Sequence, residues 1–101
     1  MVKINWTDES KYWLKYIYEY IALDDSKAAQ KLVDGICSKV ELLRVFPEIG
    51  YKYEHVSKVH IRIIVYGHYR IAYRLISTTR IDILAVIHGR MDIKKYFDKY
   101  R

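Results

Sequence analysis

The sequence predicts an α+β fold in which an antiparallel pair of helices packs on a mostly antiparallel sheet. Two patterns predict it. Between residues 8 and 43, apolar side chains recur every three or four positions, which is typical of amphipathic helices. Between residues 61 and 87, apolar and other residues alternate with a period of two, which is typical of half-buried strands. No repeat, linker or low-complexity segment interrupts residues 1–101, so we expect a single domain with one core.

The first half of the chain predicts one strand and two helices. Residues 2–6 alternate and are long enough for a short strand. Thr7 can cap a first helix, because a threonine oxygen accepts a hydrogen bond from an amide of the first turn. After a short break, Ser26 can cap a second helix, which Pro47 ends. The short connection predicts antiparallel neighbouring helices, and Gly35 within the second helix predicts a site of close packing.

The second half predicts a three-stranded meander. Residues 61–66 form the first strand, and Gly67-His68 occupies the position of a two-residue hairpin turn, where glycine supplies the positive φ. The second strand follows over 69–75. The third, over 81–87, is almost wholly apolar and should therefore lie inside the sheet. Two further segments complete the chain: a loop over 51–58 and a short C-terminal helix over 92–97.

Composition limits the classes of function. Cys37 is the only cysteine and cannot form an internal disulfide, which suggests a reducing compartment. No signal peptide is visible at the N-terminus, and the longest apolar runs fall far below the ~20 residues that span a bilayer. We therefore expect a cytoplasmic protein without membrane contact. The four histidines show no metal-binding spacing and the glycines form no phosphate loop, so we expect neither a metal nor a cofactor.

Positive charge is concentrated in the second half. Residues 1–50 carry 7 Lys and Arg against 8 Asp and Glu, whereas residues 51–101 carry 11 against 4. The two halves, with net charges of −1 and +7, sum to the +6 of the chain. Five of the seven arginines lie between residues 61 and 90. Because a guanidinium group matches phosphate and carboxylate geometry, this clustering predicts an anion-binding face rather than a generally solubilising charge.

Arginines of the meander are the first candidate site residues. Arg70 and Arg74 stand four residues apart on one strand and so share a face, and the small Ala72 between them leaves room for a ligand. A two-residue turn would place Arg62 on the opposite face, whereas a three-residue turn with a bulge would bring it beside Arg70. The sequence is compatible with both. Each arginine could instead form a surface ion pair.

The end of the third strand supplies further candidates. His88 and Arg90 follow this strand, where sheet proteins often carry functional groups on loops. Tyr96 lies six residues beyond Arg90 and is near enough in sequence to share a site with it. The chain contains eleven tyrosines, most of which we assign to the core and its boundary. A few on the basic face could stack on nucleic-acid bases.

Several short motifs occur in order along almost the whole chain. They are Trp6-Thr7, Tyr20-Ile21-Ala22, Ala28-Ala29, Phe46-Pro47-Glu48-Ile49-Gly50, Tyr69-Arg70-Ile71-Ala72-Tyr73-Arg74 and the run from Ile83 to Asp92. In this order and at these distances, they resemble the RelE/ParE superfamily of toxins from bacterial type II toxin–antitoxin modules, and more closely its ParE-like branch. The resemblance implies a helical hairpin on a mostly antiparallel sheet. It also implies a role in plasmid stabilisation or addiction, and a cognate antitoxin that wraps the toxin in a hetero-oligomer.

The resemblance leaves two activities open. RelE-like members cleave messenger RNA in the ribosomal A site without metal, using basic residues and a tyrosine that stabilise charge on the reacting phosphate. Arg70 matches the arginine of the family's Tyr-Arg pair, Arg90 the arginine after the final strand, and Tyr96 the tyrosine of the tail. The resemblance makes these three the catalytic residues if the chain is a ribosome-dependent endoribonuclease.

ParE-like members instead poison DNA gyrase, and no catalytic set is agreed for them. The lysine pair of RelE-like members falls here on Ile61 and Ile63, so a lysine general base is missing. Together with the His-Gly-Arg-x-Asp ending, this difference favours the ParE-like branch, whereas Tyr96 favours the RelE-like one. We therefore expect a gyrase inhibitor, with the ribosome-dependent nuclease as the alternative. Cationic residues would bind the target or the antitoxin: Arg62, Arg70, Arg74, His88 and Arg90.

Overall fold

The computed structural model describes residues 1–53, 60–90 and 97 of the chain. Within them, the elements follow the predicted order, which confirms the α+β class. The predicted C-terminal helix over 92–97 lies outside the described residues, apart from Phe97. The elements are β1 (Lys3–Trp6), α1 (Asp8–Ala22), α2 (Ser26–Glu41), a 3-10 turn (Leu42–Arg44), β2 (Tyr51–Lys52), β3 (Ile61–Tyr66), β4 (Tyr69–Ser77) and β5 (Arg80–His88).

The strands of the described residues form one mixed sheet in the order β1-β5-β4-β3-β2. β1 runs parallel to β5, and every other neighbouring pair in this sheet is antiparallel. β5 therefore lies inside the sheet, as its apolar sequence predicts. The expectation of a loop over 51–58 is wrong at its start, where Tyr51 and Lys52 pair with Ile63 and Arg62. A strand of two residues is too short to show a period in the sequence.

Side-chain caps start both helices. The Thr7 Oγ1 atom accepts a hydrogen bond from the Ser10 amide at 3.1 Å and donates to the Ile83 carbonyl at 2.7 Å, so this cap also ties α1 to β5. The cap of α2 is Asp25 rather than the predicted Ser26. Its carboxylate accepts from two amides of the first turn, at 3.0 and 3.1 Å. A carboxylate here is also favoured by the positive end of the helix dipole, which the hydroxyl of Ser26 does not exploit.

Apolar side chains bury both faces of the sheet. On the helix face, α1 and α2 pack on the strands through a cluster that includes Ile17, Ile36, Val40, Ile71 and Ile83. The opposite face, termed the second face, carries a cluster of Tyr53, Ile61, Ile63, Ala72, Leu84, Ala85, Ile87 and Phe97. The ring centroids of Tyr53 and Phe97 lie 5.3 Å apart. The chain therefore returns at Phe97 to cover the second face.

One residue of β5 interrupts its pairing with β4. Ala72 pairs with Ala85 and Tyr73 pairs with Ile83, which leaves Leu84 as the extra residue of a β-bulge. Before this bulge, the odd-numbered residues Ile81 and Ile83 belong to the helix-face cluster. After it, the even-numbered residue Val86 belongs to that cluster. Strict alternation would have placed Ala85 on the same face as Ile83, and the bulge separates them.

Gly35 of α2 permits a close contact with β3. A Cβ atom built on Gly35 would lie 1.9 Å from the Oη atom of Tyr66 and 2.3 Å from its Cζ atom. The Tyr66 ring therefore lies directly against the helix backbone. The close packing that the sequence predicts at Gly35 is present, and any side chain at this position would have to displace the ring.

We expect Gly35→Ala to lower the free energy of unfolding by up to about 2 kcal/mol. Overpacking usually costs about 1–3 kcal/mol, and the better helix propensity of alanine offsets ~1 kcal/mol of this cost. In a Tyr66→Ala background the obstacle is gone, so the same substitution should raise the free energy of unfolding by up to ~1 kcal/mol. Urea unfolding of the four proteins measures both effects. Equal losses in the two backgrounds would show that the Tyr66 ring is not the obstacle.

Tyr73 and Arg62 hold the loop between α2 and β2. Tyr73 is fully buried, and its hydroxyl donates to the Pro47 carbonyl at 2.9 Å and accepts from the Gly50 amide at 3.0 Å. Arg62 donates through Nη1 to the carbonyls of Glu48 at 3.1 Å and Gly50 at 2.7 Å. Burial raises the pKa of Tyr73, and the hydrogen bond with Gly50 and the charge of Arg62 partly oppose this rise. Two side chains of the sheet thus satisfy the backbone of this loop.

Candidate functional site

A cleft of about 400 Å³ opens at one end of the sheet, between the β3–β4 turn and the end of β5. It is termed the cationic cleft, because two arginines line it, together with two histidines. The name refers to the arginines. Among the described residues, no carboxylate lines it. Its polar and aromatic lining residues are Tyr51, His68, Tyr69, Arg70, His88 and Arg90.

The β3–β4 turn places Arg70 in this cleft. Gly67 adopts a φ of 58°, the turn takes two residues, and Val65 pairs with Arg70. Arg62 then pairs with Tyr73 and shares its face of the sheet, opposite to Arg70. The two-residue alternative is therefore the one that the chain adopts. The guanidinium of Arg62 serves the loop between α2 and β2 and does not line the cleft.

The end of β5 brings His88 and Arg90 to the same cleft. Tyr69 pairs with His88, and the Gly89 amide donates to the His68 carbonyl at 2.7 Å. A Cβ atom on Gly89 would lie 3.2 Å from that carbonyl oxygen, so the absence of a side chain allows the close approach. The Arg90 amide donates to Nδ1 of His88 at 3.1 Å. The neutral His88 ring therefore carries its proton on Nε2.

Ring contacts order the histidines of the cleft. The His68 and His88 rings stack with centroids 6.2 Å apart and an interplanar angle of 24°. Tyr69 meets His88 edge-on, at 5.2 Å and 86°. Burial raises the pKa of Tyr69, and the nearby Tyr20 raises it further by a smaller amount. The Tyr69 hydroxyl therefore stays neutral at physiological pH. Two imidazoles thus stand beside two guanidinium groups, an arrangement suited to holding an anion.

Other residues of the predicted site lie elsewhere. Arg74 shares a face with Arg70 but lies outside the cleft. The space predicted beside Ala72 does not exist, because Ala72 is fully buried in the second-face cluster. Tyr96 lies outside the described residues. Sequence analysis missed His68, although its position in the predicted turn, directly before the Tyr-Arg pair, was a usable signal.

A second cavity of about 270 Å³ adjoins the cleft on the helix face. Trp13, Tyr16 and Tyr20 of α1 form one wall, and Tyr69 and His88 of the sheet form the other. It is termed the aromatic pocket. Tyr69 and His88 also line the cationic cleft, so the two cavities meet at this pair of rings.

A larger groove of about 620 Å³ lies between α1, α2 and β1. Its walls are mostly apolar, and none of the predicted site residues lines it. Cys37 contributes to this groove. Burial, and then the charges of Asp34 and Glu41, raise the pKa of the Cys37 thiol, which disfavours the reactive thiolate.

Neither a metal-ligating cluster nor a membrane-spanning helix occurs in the described part of the chain. Within residues 1–53, 60–90 and 97, no three side chains of the types that ligate metals come together. No helix in the same ranges is long and apolar enough to cross a bilayer.

Comparison with known proteins gives the family. A family model described as "ParE toxin of type II toxin-antitoxin system, parDE" matches residues 4–93. The chain belongs to this family. Among solved structures, a chain from the "Chromosomal ParDE TA system from P. aeruginosa" matches with a TM-score of 0.69 and 23% identity, covering 87% of this chain and 96% of that chain. At this identity the likeness shows the fold alone. No curated protein sequence matches the chain significantly.

Membership of the ParE family confirms the family expected from the sequence motifs, and it makes the chain a toxin of a type II toxin–antitoxin system. The family implies an antitoxin partner and hence a toxin–antitoxin hetero-oligomer. The solved relative belongs to a chromosomal system, so a role in plasmid stabilisation stays a prediction.

Proposed function

We propose that this ParE-family toxin arrests growth by inhibiting DNA gyrase, which it contacts through the cationic cleft. One observation carries the proposal: Arg70, His88 and Arg90 line a single cleft that, among the described residues, no carboxylate lines. Such a cleft is suited to an anionic surface on a large target, and it can act by binding alone.

The buried apolar residues on the second face of the sheet are evidence against a nuclease of the RelE type. By the resemblance of the sequence motifs, Ile61 and Ile63 fall where that branch carries its lysine pair. In the structure they are only 1% and 0% exposed. Both pack in the cluster that includes Phe97. A general base must reach the proton that it abstracts, and two buried isoleucines supply neither a base nor access.

Ribosome-dependent cleavage of messenger RNA is the second candidate. Two of its three predicted catalytic residues, Arg70 and Arg90, line the same cleft. Guanidinium groups placed together in this way can stabilise the charge that develops on a phosphate during cleavage. This second candidate predicts a chemical change in RNA, which the gyrase proposal does not.

Production of the chain alone in bacteria, with mapping of messenger RNA ends and a supercoiling assay on purified protein, separates the two candidates. We expect growth arrest, unaltered messenger RNA ends and inhibited supercoiling. Co-production of the cognate antitoxin should restore growth. Codon-phased cuts with normal supercoiling would contradict the gyrase proposal and favour the nuclease.

A further inference from the structure

The cationic cleft and the aromatic pocket form one site with two chemical halves. Both cavities contain Tyr69 and His88, whose rings are 5.2 Å apart and form the boundary between them. A ligand that crosses this boundary meets cations on one side and aromatic rings on the other. Its own chemistry must therefore change from anionic to planar or apolar where it crosses this boundary.

The cationic half is suited to a phosphate. Arg70 enters from the second face of the sheet, and Arg90 enters from the end of β5. Guanidinium groups offer paired N–H donors that match phosphate oxygens. His68 and His88 add ring nitrogens beside them. Since no carboxylate among the described residues lines the cleft, nothing described there would repel the negative charge of a phosphate.

The aromatic half is suited to a base. Tyr16 and Tyr20 are 55% and 69% exposed, so each presents a large ring to solvent beside a pocket of about 270 Å³. Trp13 meets Tyr16 edge-on, with ring centroids 6.5 Å apart. Rings of this kind stack on nucleic-acid bases with little dependence on sequence. The bases of a duplex are already stacked on one another, so only an unpaired base can enter such a pocket.

From these two halves we infer that the site binds a single strand of nucleic acid. A phosphate of the strand contacts Arg70 and Arg90, and the neighbouring base lies in the aromatic pocket against Tyr16 and Tyr20. This inference rests on the proposed function for the assignment of the cleft as the target-binding surface. It specifies that the anionic partner of this surface is a strand of nucleic acid, such as the DNA on which gyrase acts, rather than an acidic segment of the gyrase protein. A run of acidic residues is the poorer match, because its carboxylates satisfy the cleft and leave the aromatic pocket unused.

Fluorescence anisotropy of labelled oligonucleotides with the full chain tests the inference. The probes are unstructured DNA and RNA strands of about eight nucleotides, a length within the ~4–16 nucleotides that single-strand sites typically cover. Comparison of the DNA with the RNA strand shows which sugar the site prefers. We expect both single strands to bind more tightly than a duplex of the same length. Affinity should fall with rising salt, as it does wherever phosphates displace counterions.

Matched variants separate the two halves. Arg70→Ala should weaken binding of the single strand and of inorganic polyphosphate alike, by about tenfold. Tyr16→Ala or Tyr20→Ala should weaken binding of the single strand by about tenfold and leave polyphosphate binding unchanged. Arg74→Ala is the control for Arg70, and Tyr12→Ala is the control for the tyrosines, since Tyr12 lies on the same helix, is 64% exposed and does not line the pocket.

Three outcomes would overturn the inference. Duplex binding as tight as single-strand binding would indicate a general attraction of phosphates to a basic surface. Competition by polyglutamate as effective as that by an oligonucleotide would indicate an acidic protein segment instead. Equal losses for Arg70→Ala and Arg74→Ala would show that the cleft is not the site. The binding assay contains no gyrase, so a failure to bind single strands does not contradict inhibition in the supercoiling assay. Conversely, a lack of inhibition in the supercoiling assay does not contradict binding of a single strand.

Discussion

Replacement of Arg70 and Arg90 together by alanine is expected to abolish growth arrest. Hydrogen bonds to charged groups contribute about 1.5–3 kcal/mol each, so the toxin concentration that half-inhibits supercoiling should rise at least about 100-fold. Arg70 is partly exposed and Arg90 is exposed, so the free energy of unfolding should change by no more than about 0.5 kcal/mol. Growth after induction and a supercoiling titration measure the functional loss, and urea unfolding measures the stability.

The control for this double variant is Arg74→Ala. Arg74 lies on the same strand and the same face as Arg70, is also partly exposed, and lies outside the cationic cleft. It should keep full inhibitory activity. If its loss matched that of Arg70→Ala alone, total positive charge rather than the cleft would explain inhibition, and the proposed target-binding surface would be refuted.

Tyr73→Phe is expected to destabilise the fold strongly for so conservative a substitution. Phenylalanine fills the same space but removes the hydroxyl that accepts from the Gly50 amide and donates to the Pro47 carbonyl. Gly50 is buried, so its amide is left without this acceptor in a place that water reaches poorly. The expected fall in the free energy of unfolding is about 2–3 kcal/mol, measured by urea unfolding at neutral pH.

The same variant predicts a pH dependence. Burial raises the pKa of Tyr73 above its ordinary value near 10.0, so the folded state favours the neutral hydroxyl. This contribution to stability is fully present below about pH 10 and is lost as the pH rises through the folded-state pKa. The difference in free energy of unfolding between wild type and Tyr73→Phe should therefore be constant to about pH 10 and shrink above it.

Tyr12→Phe provides the control for the neutral-pH measurement at Tyr73. Its ring is 64% exposed, and a phenol in water gains little from its hydroxyl. We expect its free energy of unfolding at neutral pH to match that of wild type. A difference between wild type and Tyr73→Phe that stayed constant well above pH 10 would mean that the buried hydroxyl does not resist ionisation.

Local chemistry made most of the fold predictable. Thr7 and the two patterns of apolar spacing placed the first strand and both helices, because caps and periodicity act over a few residues. Gly67-His68 placed the turn, but the sequence left open whether the turn takes two or three residues. Only the structure showed which faces the side chains of β3 and β4 share. The bulge at Leu84 was not predictable, since the near-continuous apolar run of β5 looks the same with or without an extra residue.

The candidate site was predictable in part. Arg70, His88 and Arg90 were named from sequence, and the structure brings them to one cleft. The face of the sheet on which Arg62 lies could be assigned only once the length of the β3–β4 turn was known. The aromatic pocket was not predictable, because it joins α1 to the far ends of β4 and β5 across most of the chain length. Tyr16 and Tyr20 gave no signal of their own among eleven tyrosines.

The bulge at Leu84 also bears on how β5 could change in length. Leu84 is the residue without a partner on β4, whereas Ala85 pairs with Ala72 and Ile83 pairs with Tyr73. Deletion of Leu84 would therefore join two regularly paired stretches of β5 without a change of register. Every later side chain would keep its face of the sheet, at the loss of one buried leucine. Removal of a paired residue further along β5, such as Val86, would instead reverse the faces of all that follow, His88 included. Natural variants that shorten β5 without loss of fold are therefore expected to do so at this position.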